Sequence, residues 1–297
     1  MTRRAASLVR PASVAKLALV AGSALALAWW LEQRRIAALR RRLLAPGAHQ
    51  RISHEPDLSA CPPVVARYLR FALAGSVGRP AAVELHQSGA LRTDTTSRRW
   101  LPFEAVHRAA VAQPGFLWDA RVTVAPAVHV RVLDSLADGA GAGKVLLQSI
   151  IPLAGRTGRH EMNAGCLHRF LAEAVWYPWV LLPGEHLAWR AVADDRAMAT
   201  LTSGESSVSL IFRFAPGGEV TGIFTPARWG NFSGRYLQLP WEGHFGDYVD
   251  RGGIRVPMWG EVGWYRRGAL EIVWRGRIRA YRVMWDGITG PNQQRPR

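Results

Sequence analysis

Residues 207–224 read SVSLIFRFAPGGEVTGIF. Two alternating runs, Ser207–Phe214 and Glu219–Phe224, flank Pro216-Gly217-Gly218. Period-two alternation suits a strand with one face buried, and proline followed by glycine suits a tight turn, so the segment predicts a β-hairpin. Trp259–Tyr265 and Ala269–Val283, joined by Arg266-Arg267-Gly268, repeat the pattern. Toward the N-terminus, Val83–Gln87, Leu117–Val124 and Val128–Val132 alternate as well. Lys144–Ile151 is a more continuously apolar run, and Leu187–Val192 reads as a further strand. Strands at hairpin spacing predict antiparallel pairing, not βαβ units.

Two helices interrupt the strands. Cys166–Trp179 (CLHRFLAEAVWYPW) places Leu167, Phe170, Leu171, Ala174 and Val175 on one face, and Pro178 ends it. A short helix after Ser59, with Pro62 and Pro63 in its first turn, buries Val64, Val65, Tyr68, Leu69, Phe71 and Ala72 and stops at Gly75. The expected fold is mainly β (α+β), a curved antiparallel sheet or half-barrel covering one or two helices, preceded by an N-terminal transmembrane helix. No repeat of 20–50 residues is visible.

The chain has 297 residues, 48% hydrophobic and 20% charged, which is enough for a sizeable core and excludes wholesale disorder. Two cysteines exclude a disulfide scaffold. The net charge of +16 is unevenly spread. Residues 1–51 hold ten Lys/Arg against one acid, residues 262–297 eight against two, and the stretch between twenty against nineteen. A nearly neutral middle with basic ends argues against a nucleic-acid partner.

The N-terminal end carries Arg3, Arg4, Arg10 and Lys16 before the apolar run Leu17–Leu31 (LALVAGSALALAWWL). The run is short for a span of ~20 residues but closes on Trp29 and Trp30, which favour the membrane interface. It reads first as a single-pass anchor, second as a cleaved signal peptide ending near Ala26-Leu27-Ala28, third as a buried helix. Charge on its two flanks nearly balances, and the globular domain is expected on the extracytoplasmic side of the cell membrane. Arg34–Leu44 alternates Arg with Ile36, Leu39, Leu43 and Leu44 at helical spacing, suiting a basic amphipathic helix on anionic lipid or a solvated extension of the anchor. The organisation expected is an anchor and amphipathic helix over 1–45, a linker over 46–58, a β-rich domain over 59–286 and a disordered tail over 287–297.

Catalytic motifs are absent. Asp138–Lys144 (DGAGAGK) lacks the four-residue glycine spacing and the hydroxyl after lysine that a phosphate loop needs, and reads as a hairpin turn. No Gly-x-Ser-x-Gly occurs. His160 and His168 are eight apart, not the four that puts two ligands on one helix face, so no metal or cofactor is expected. Cys61 and Cys166 read as independent thiols; only their distance in the fold decides whether they pair.

The thirteen tryptophans admit two readings: a large β core, or a cavity whose indole rings meet an apolar ligand. The second concentrates on Arg228, Trp229, Tyr236, Trp241, Tyr248, Glu261 and Trp264. Glu173, on a largely apolar helix, is either ion-paired, exposed, or a polar handle inside that cavity, where Arg228 could partner it. Ile272–Val283 alternates Arg275, Arg277 and Arg279 with Trp274, Gly276 and Ile278, which places the arginines on one sheet face.

An ordered set of segments carries a resemblance: Pro62–Tyr68 (PPVVARY), Phe116-Leu117-Trp118, Val132–Ser135 (VLDS), Leu171–Pro183 (LAEAVWYPWVLLP), Phe212-Arg213-Phe214, Ala227-Arg228, and Tyr248 through Gly253, Pro257 and Glu261 to Trp264. Over roughly residues 60–285 the chain resembles an uncharacterised bacterial membrane-associated family, a domain of unknown function. The strand pattern is similar to LolA-like lipoprotein carriers, which implies a curved sheet around an apolar cavity. The resulting expectation is a membrane-anchored, non-enzymatic domain holding a lipid or other hydrophobic ligand, with protein partners unknown. The alternatives are an enzyme acting on a hydrophobic substrate, with Glu173, His244 and Glu261 as acid and base, and an envelope interaction domain.

Overall fold

The computed structural model describes residues 11–43, 57–76, 78–93 and 95–285. The expected linker and tail fall almost wholly outside them.

Thirteen strands form one antiparallel sheet. The first wing is β1 (Ala82–Leu91), β2 (Leu101–Ala110), β3 (Phe116–Ala125), β4 (Val128–Ala137), β5 (Ala140–Leu147) and β6 (Ile151–Thr157). The second is β7 (Leu187–Ala193), β8 (Arg196–Ser203), β9 (Ser206–Phe214), β10 (Val220–Phe232), β11 (Arg235–Asp250), β12 (Arg255–Arg266) and β13 (Ala269–Met284). Each wing is a meander, and β1 pairs with β13 to join them, in the order 6-5-4-3-2-1-13-12-11-10-9-8-7. The sheet is curved and unclosed, with β6 and β7 as its edges.

The helix α3 (His160–Glu173) connects the edges and lies in the concave trough, touching β4 and β5 of one wing and β8, β9 and β10 of the other. It starts six residues before the sequence expectation and gives way to 3-10 turns at Ala174–Trp176 and Pro178–Leu181. With Pro178 lacking a backbone donor, the α-helical ladder cannot run through it. The helix α2 (Pro63–Ala72) packs on the same core. Pro62, not Ser59, occupies its N-cap, and Ser59 instead donates its N–H to Asp57 Oδ1 at 2.9 Å.

The hairpins expected at residues 216–218 and 266–268 are present. Asp138 and Gly139, at φ 50° and 75°, turn β4 into β5, so the glycine-rich stretch is a hairpin as expected. The run Lys144–Ile151 is broken: Gln148 and Ser149, both at positive φ, turn β5 into β6. Arg275, Arg277 and Arg279 are exposed on the convex face while Gly276 and Ile278 between them are buried.

The helix α1 (Pro11–Leu43) requires two corrections. Among the described residues, no helix is long and apolar enough to cross a membrane. The apolar run stops at Leu31, and the next turn is polar and engaged by the domain: Glu32 pairs with Lys144 Nζ, and Gln33 Oε1 accepts from Arg131 Nη1 at 3.4 Å. The stripe Ile36, Leu39 and Leu43, expected either to face lipid or to belong to a solvated extension, packs on Leu117, Leu133 and Leu146 of the convex sheet face. Leu44 lies outside the described residues.

Candidate functional site

One end of the trough is filled. Trp176, Trp179, Tyr177 and Tyr68 are almost completely buried there. Their polar atoms are largely spent internally: Trp176 Nε1 donates to Pro257 O at 2.9 Å, Trp179 Nε1 to Ser76 Oγ at 2.8 Å, and Tyr177 Oη to Phe170 O at 2.9 Å.

The other end is open. A cavity of about 590 Å³ lies between the wings. β1, β3, β4 and β5 line it with Leu91, Val122, Val130, Val132 and Val145, and β11, β12 and β13 with Trp241, Trp264 and Trp274. The indole N–H groups of those three tryptophans meet no acceptor among the described residues, in contrast to Trp118, whose Nε1 donates to Gln87 Oε1 at 2.9 Å. Tryptophan therefore serves both the packed core, at Trp176 and Trp179, and the cavity wall, at Trp241, Trp264 and Trp274.

Four charged side chains project into the cavity floor: Asp134 from β4, Arg169 and Glu173 from α3, and Arg228 from β10. Arg169 and Glu173 stand four apart on α3 and so share a face. Arg169 Nε donates to Glu173 Oε1 at 2.9 Å and Nη1 to Asp134 Oδ2 at 2.8 Å, while its guanidinium lies 4.9 Å from the Trp118 ring centre. Burial lifts both carboxyls above their ordinary range despite Arg169. Burial also works against the charge on Arg169, but Glu173 and Asp134 outweigh it and raise its pKa. Behind them His107 is fully buried, its Nε2 3.5 Å from Glu173 Oε2. Burial, with Arg169 and Arg108 adding to it, holds His107 well below its usual pKa, so the ring is neutral.

Arg228 is placed differently. Its guanidinium packs against the neighbouring rings of Trp241 and Trp264, 4.5 and 4.9 Å from their centres, which stand 6.3 Å apart, and contact with ring faces favours a planar cation. Nη2 donates to Gly165 O at 2.9 Å. Gly165 permits that approach, since a Cβ there would stand 2.9 Å from Trp229 O. Among the described residues no carboxylate lies within ion-pair distance of Arg228, so the expected Glu173–Arg228 pair is not formed; Glu173 goes to Arg169 instead. Burial lowers Arg228 to about 10, which leaves it charged at neutral pH.

Of the other expected site residues, Trp241 and Trp264 line the cavity and three do not. Trp229 borders a separate groove beside His168. Tyr236 lies under Arg156, 5.8 Å from its guanidinium. Tyr248 donates to Val220 O at 3.0 Å and packs edge-on against Phe71 of α2. Glu261 borders the cavity, yet its Oε1 lies 3.0 Å from His244 Nδ1. Strand alternation puts His244 and Glu242 on the opposite face of β11 from Trp241. There Glu242 accepts from Tyr265 and Arg213 and contacts His244 Nε2 at 3.1 Å. Burial alone would raise Glu242, but those hydrogen bonds prevail and hold its pKa down. Of the three acid–base candidates, Glu173 and Glu261 both border the cavity, held by Arg169 and His244 respectively, while His244 is not among the lining residues.

Asp134, Arg169 and His107 were not singled out from sequence. The i,i+4 spacing of Arg169 and Glu173 was a usable signal; the contacts of Asp134 and His107 depend on pairing β2, β3 and β4 with the helix. Cys61 and Cys166 are both free thiols. No group of three His, Cys, Asp or Glu side chains is arranged for a metal ion among the described residues.

Fold and site together define a curved-sheet domain with an aromatic cavity over a buried ion network. The chain belongs to the family described as "Family of unknown function (DUF6544)", whose pattern matches residues 51–282. No curated protein matches it. Among solved structures, the LolA superfamily protein NE2245 from Nitrosomonas europaea aligns over 77% of this chain and 94% of its own, at 9% identity and a TM-score of 0.40.

Proposed function

We propose that this domain binds a lipid or another long apolar molecule in the trough cavity and carries out no chemistry on it. The observation behind the reading is the contrast between the cavity walls, valine, leucine and indole, and its interior end, where charged groups are already held in place. Ligand sites commonly combine such apolar walls with a few fixed polar groups. That Glu173 is tied to Arg169 and Glu261 to His244, with His244 on the face of β11 away from Trp241, supports binding over acid–base catalysis, which needs a free acid and base within reach of one substrate.

The same reading places the protein at a membrane surface. On α1, Leu25, Leu27, Trp29, Trp30 and Leu31 are each 44–57% exposed and lie N-terminal to the part that packs on the sheet. Such a stretch buries its apolar side chains among headgroups without spanning. The extracytoplasmic face of the cell membrane is the proposed location.

Native mass spectrometry of the full-length protein purified from bacterial membranes tests the ligand reading. A copurifying lipid at one per chain is expected, and Val132→Trp, which fills the cavity from β4, should abolish it. Lipid retained at the same stoichiometry by Val132→Trp, or a ligand-free mass for the wild type, would overturn the reading.

A further inference from the structure

We infer that the cavity ligand carries an anionic head, a carboxylate or a phosphate, and that Arg228 is the residue that binds it. The inference rests on the proposed ligand-binding reading and adds the chemical class of the ligand.

Three observations carry it. First, Arg228 is a half-buried cation with no carboxylate partner among the described residues, whereas Arg169, a helix turn away from Gly165, takes Asp134 and Glu173. A buried charge is costly unless paired, and one carbonyl with two ring faces compensates a guanidinium only in part. Second, the donors are unevenly used. Nη2 is bonded to Gly165 O, and Nε is sealed from solvent without a partner. Nη1 is neither bonded nor sealed, so it remains open on the cavity side. Third, contact with the neighbouring Trp241 and Trp264 rings and the bond to Gly165 O together hold the guanidinium in place, which fixes the direction of that free donor before any ligand arrives. Nearby negative charge does not prevent the interaction, because Asp134 and Glu173 are engaged by Arg169. A ligand chain would lie along Val122, Val132 and Val145, with its head at Arg228.

The test compares dodecanoate, dodecyl phosphate and dodecan-1-ol, each titrated into the full-length protein below its micelle concentration and followed by tryptophan fluorescence. A charge-assisted hydrogen bond contributes about 1.5–3 kcal/mol, so at least one of the anions should bind roughly 10- to 100-fold more tightly than the alcohol. Arg228→Met, which keeps an unbranched chain against the indoles, should reduce the anions to the affinity of the alcohol and leave the alcohol unchanged. The stronger of the two anions identifies the head as carboxylate or phosphate. Equal binding of anions and alcohol to the wild type, a comparison that needs no variant, would overturn this inference and leave the cavity reading standing. No binding of any of the three would overturn both.

Discussion

The two ends of the trough are built from the same sheet and the same kind of side chain, yet one is solid and the other hollow. At the filled end, α2 and the 3-10 turns supply Tyr68, Trp176 and Trp179, and both indole N–H groups have acceptors within 3 Å. At the open end α3 supplies only the charged floor, and Trp241, Trp264 and Trp274, whose N–H groups meet no acceptor among the described residues, line about 590 Å³ of space. Aromatic content does not distinguish a core from a binding cavity; the three indoles without acceptors all stand on the β11–β13 wall of the cavity, while Trp118 and Trp176, which also border it, are bonded. A folded core satisfies its polar atoms, whereas a cavity leaves some for its occupant.

The sharpest way to break this comparison is a matched truncation. Trp179→Ala should cost about 3–5 kcal/mol in urea unfolding, because the hole is surrounded by packed side chains. Trp264→Ala, removing a ring that already borders empty space, should cost clearly less; equal losses would show that both ends are core. Arg169→Met should also be damaging, by roughly 3 kcal/mol, since it leaves the largely buried Glu173 carboxyl and the partly exposed Asp134 without their cation. Its loss should be smaller at pH 4.5, where carboxyls without the cation take up protons readily, than at pH 7.5, and thermal melts at the two pH values check this.

A smaller effect concerns His168 of α3, which burial holds down to about 4 against an ordinary 6.5. Between those values the unfolded chain binds a proton that the native state refuses. Stability tied to His168 is therefore complete above pH 6.5 and drains away as pH falls toward 4, by roughly 2–3 kcal/mol. The wild-type minus His168→Asn difference in unfolding free energy should track that window, with His107, Asp134 and Glu173 cancelling. The smallest effect is on stability of Val132→Trp, which adds volume where there is room and should shift unfolding by under ~1 kcal/mol while blocking ligand.

The strands that alternate cleanly and end in glycine turns, such as Ser207–Phe214 and Ala269–Val283, were legible because each signal is local. The turn at Gln148-Ser149 was not, since neither residue marks a positive φ in advance. Within the site, Glu173, Arg228, Trp241 and Trp264 were found from residue type and context. Their partners were not, because Arg169 is bound by a carboxylate 35 positions earlier in the chain and Arg228 by a carbonyl 63 positions earlier. The basic stripe of α1 misled for a related reason. Ile36, Leu39 and Leu43 mark an apolar face, but spacing alone does not say whether lipid or a sheet covers it.

The seam between β1 and β13 has a consequence for how the chain is made. Ala82 faces Met284 and Leu91 faces Trp274, so the middle of the sheet joins residues about as far apart in the chain as the domain allows. On a ribosome the first wing emerges long before its neighbour exists, and β1 waits with one edge unpaired. Pairing at such separation is slow once the chain is free. A holding chaperone would have to shield Val83 and Leu85 during that interval, which makes β1 the segment where synthesis of this protein is most easily derailed.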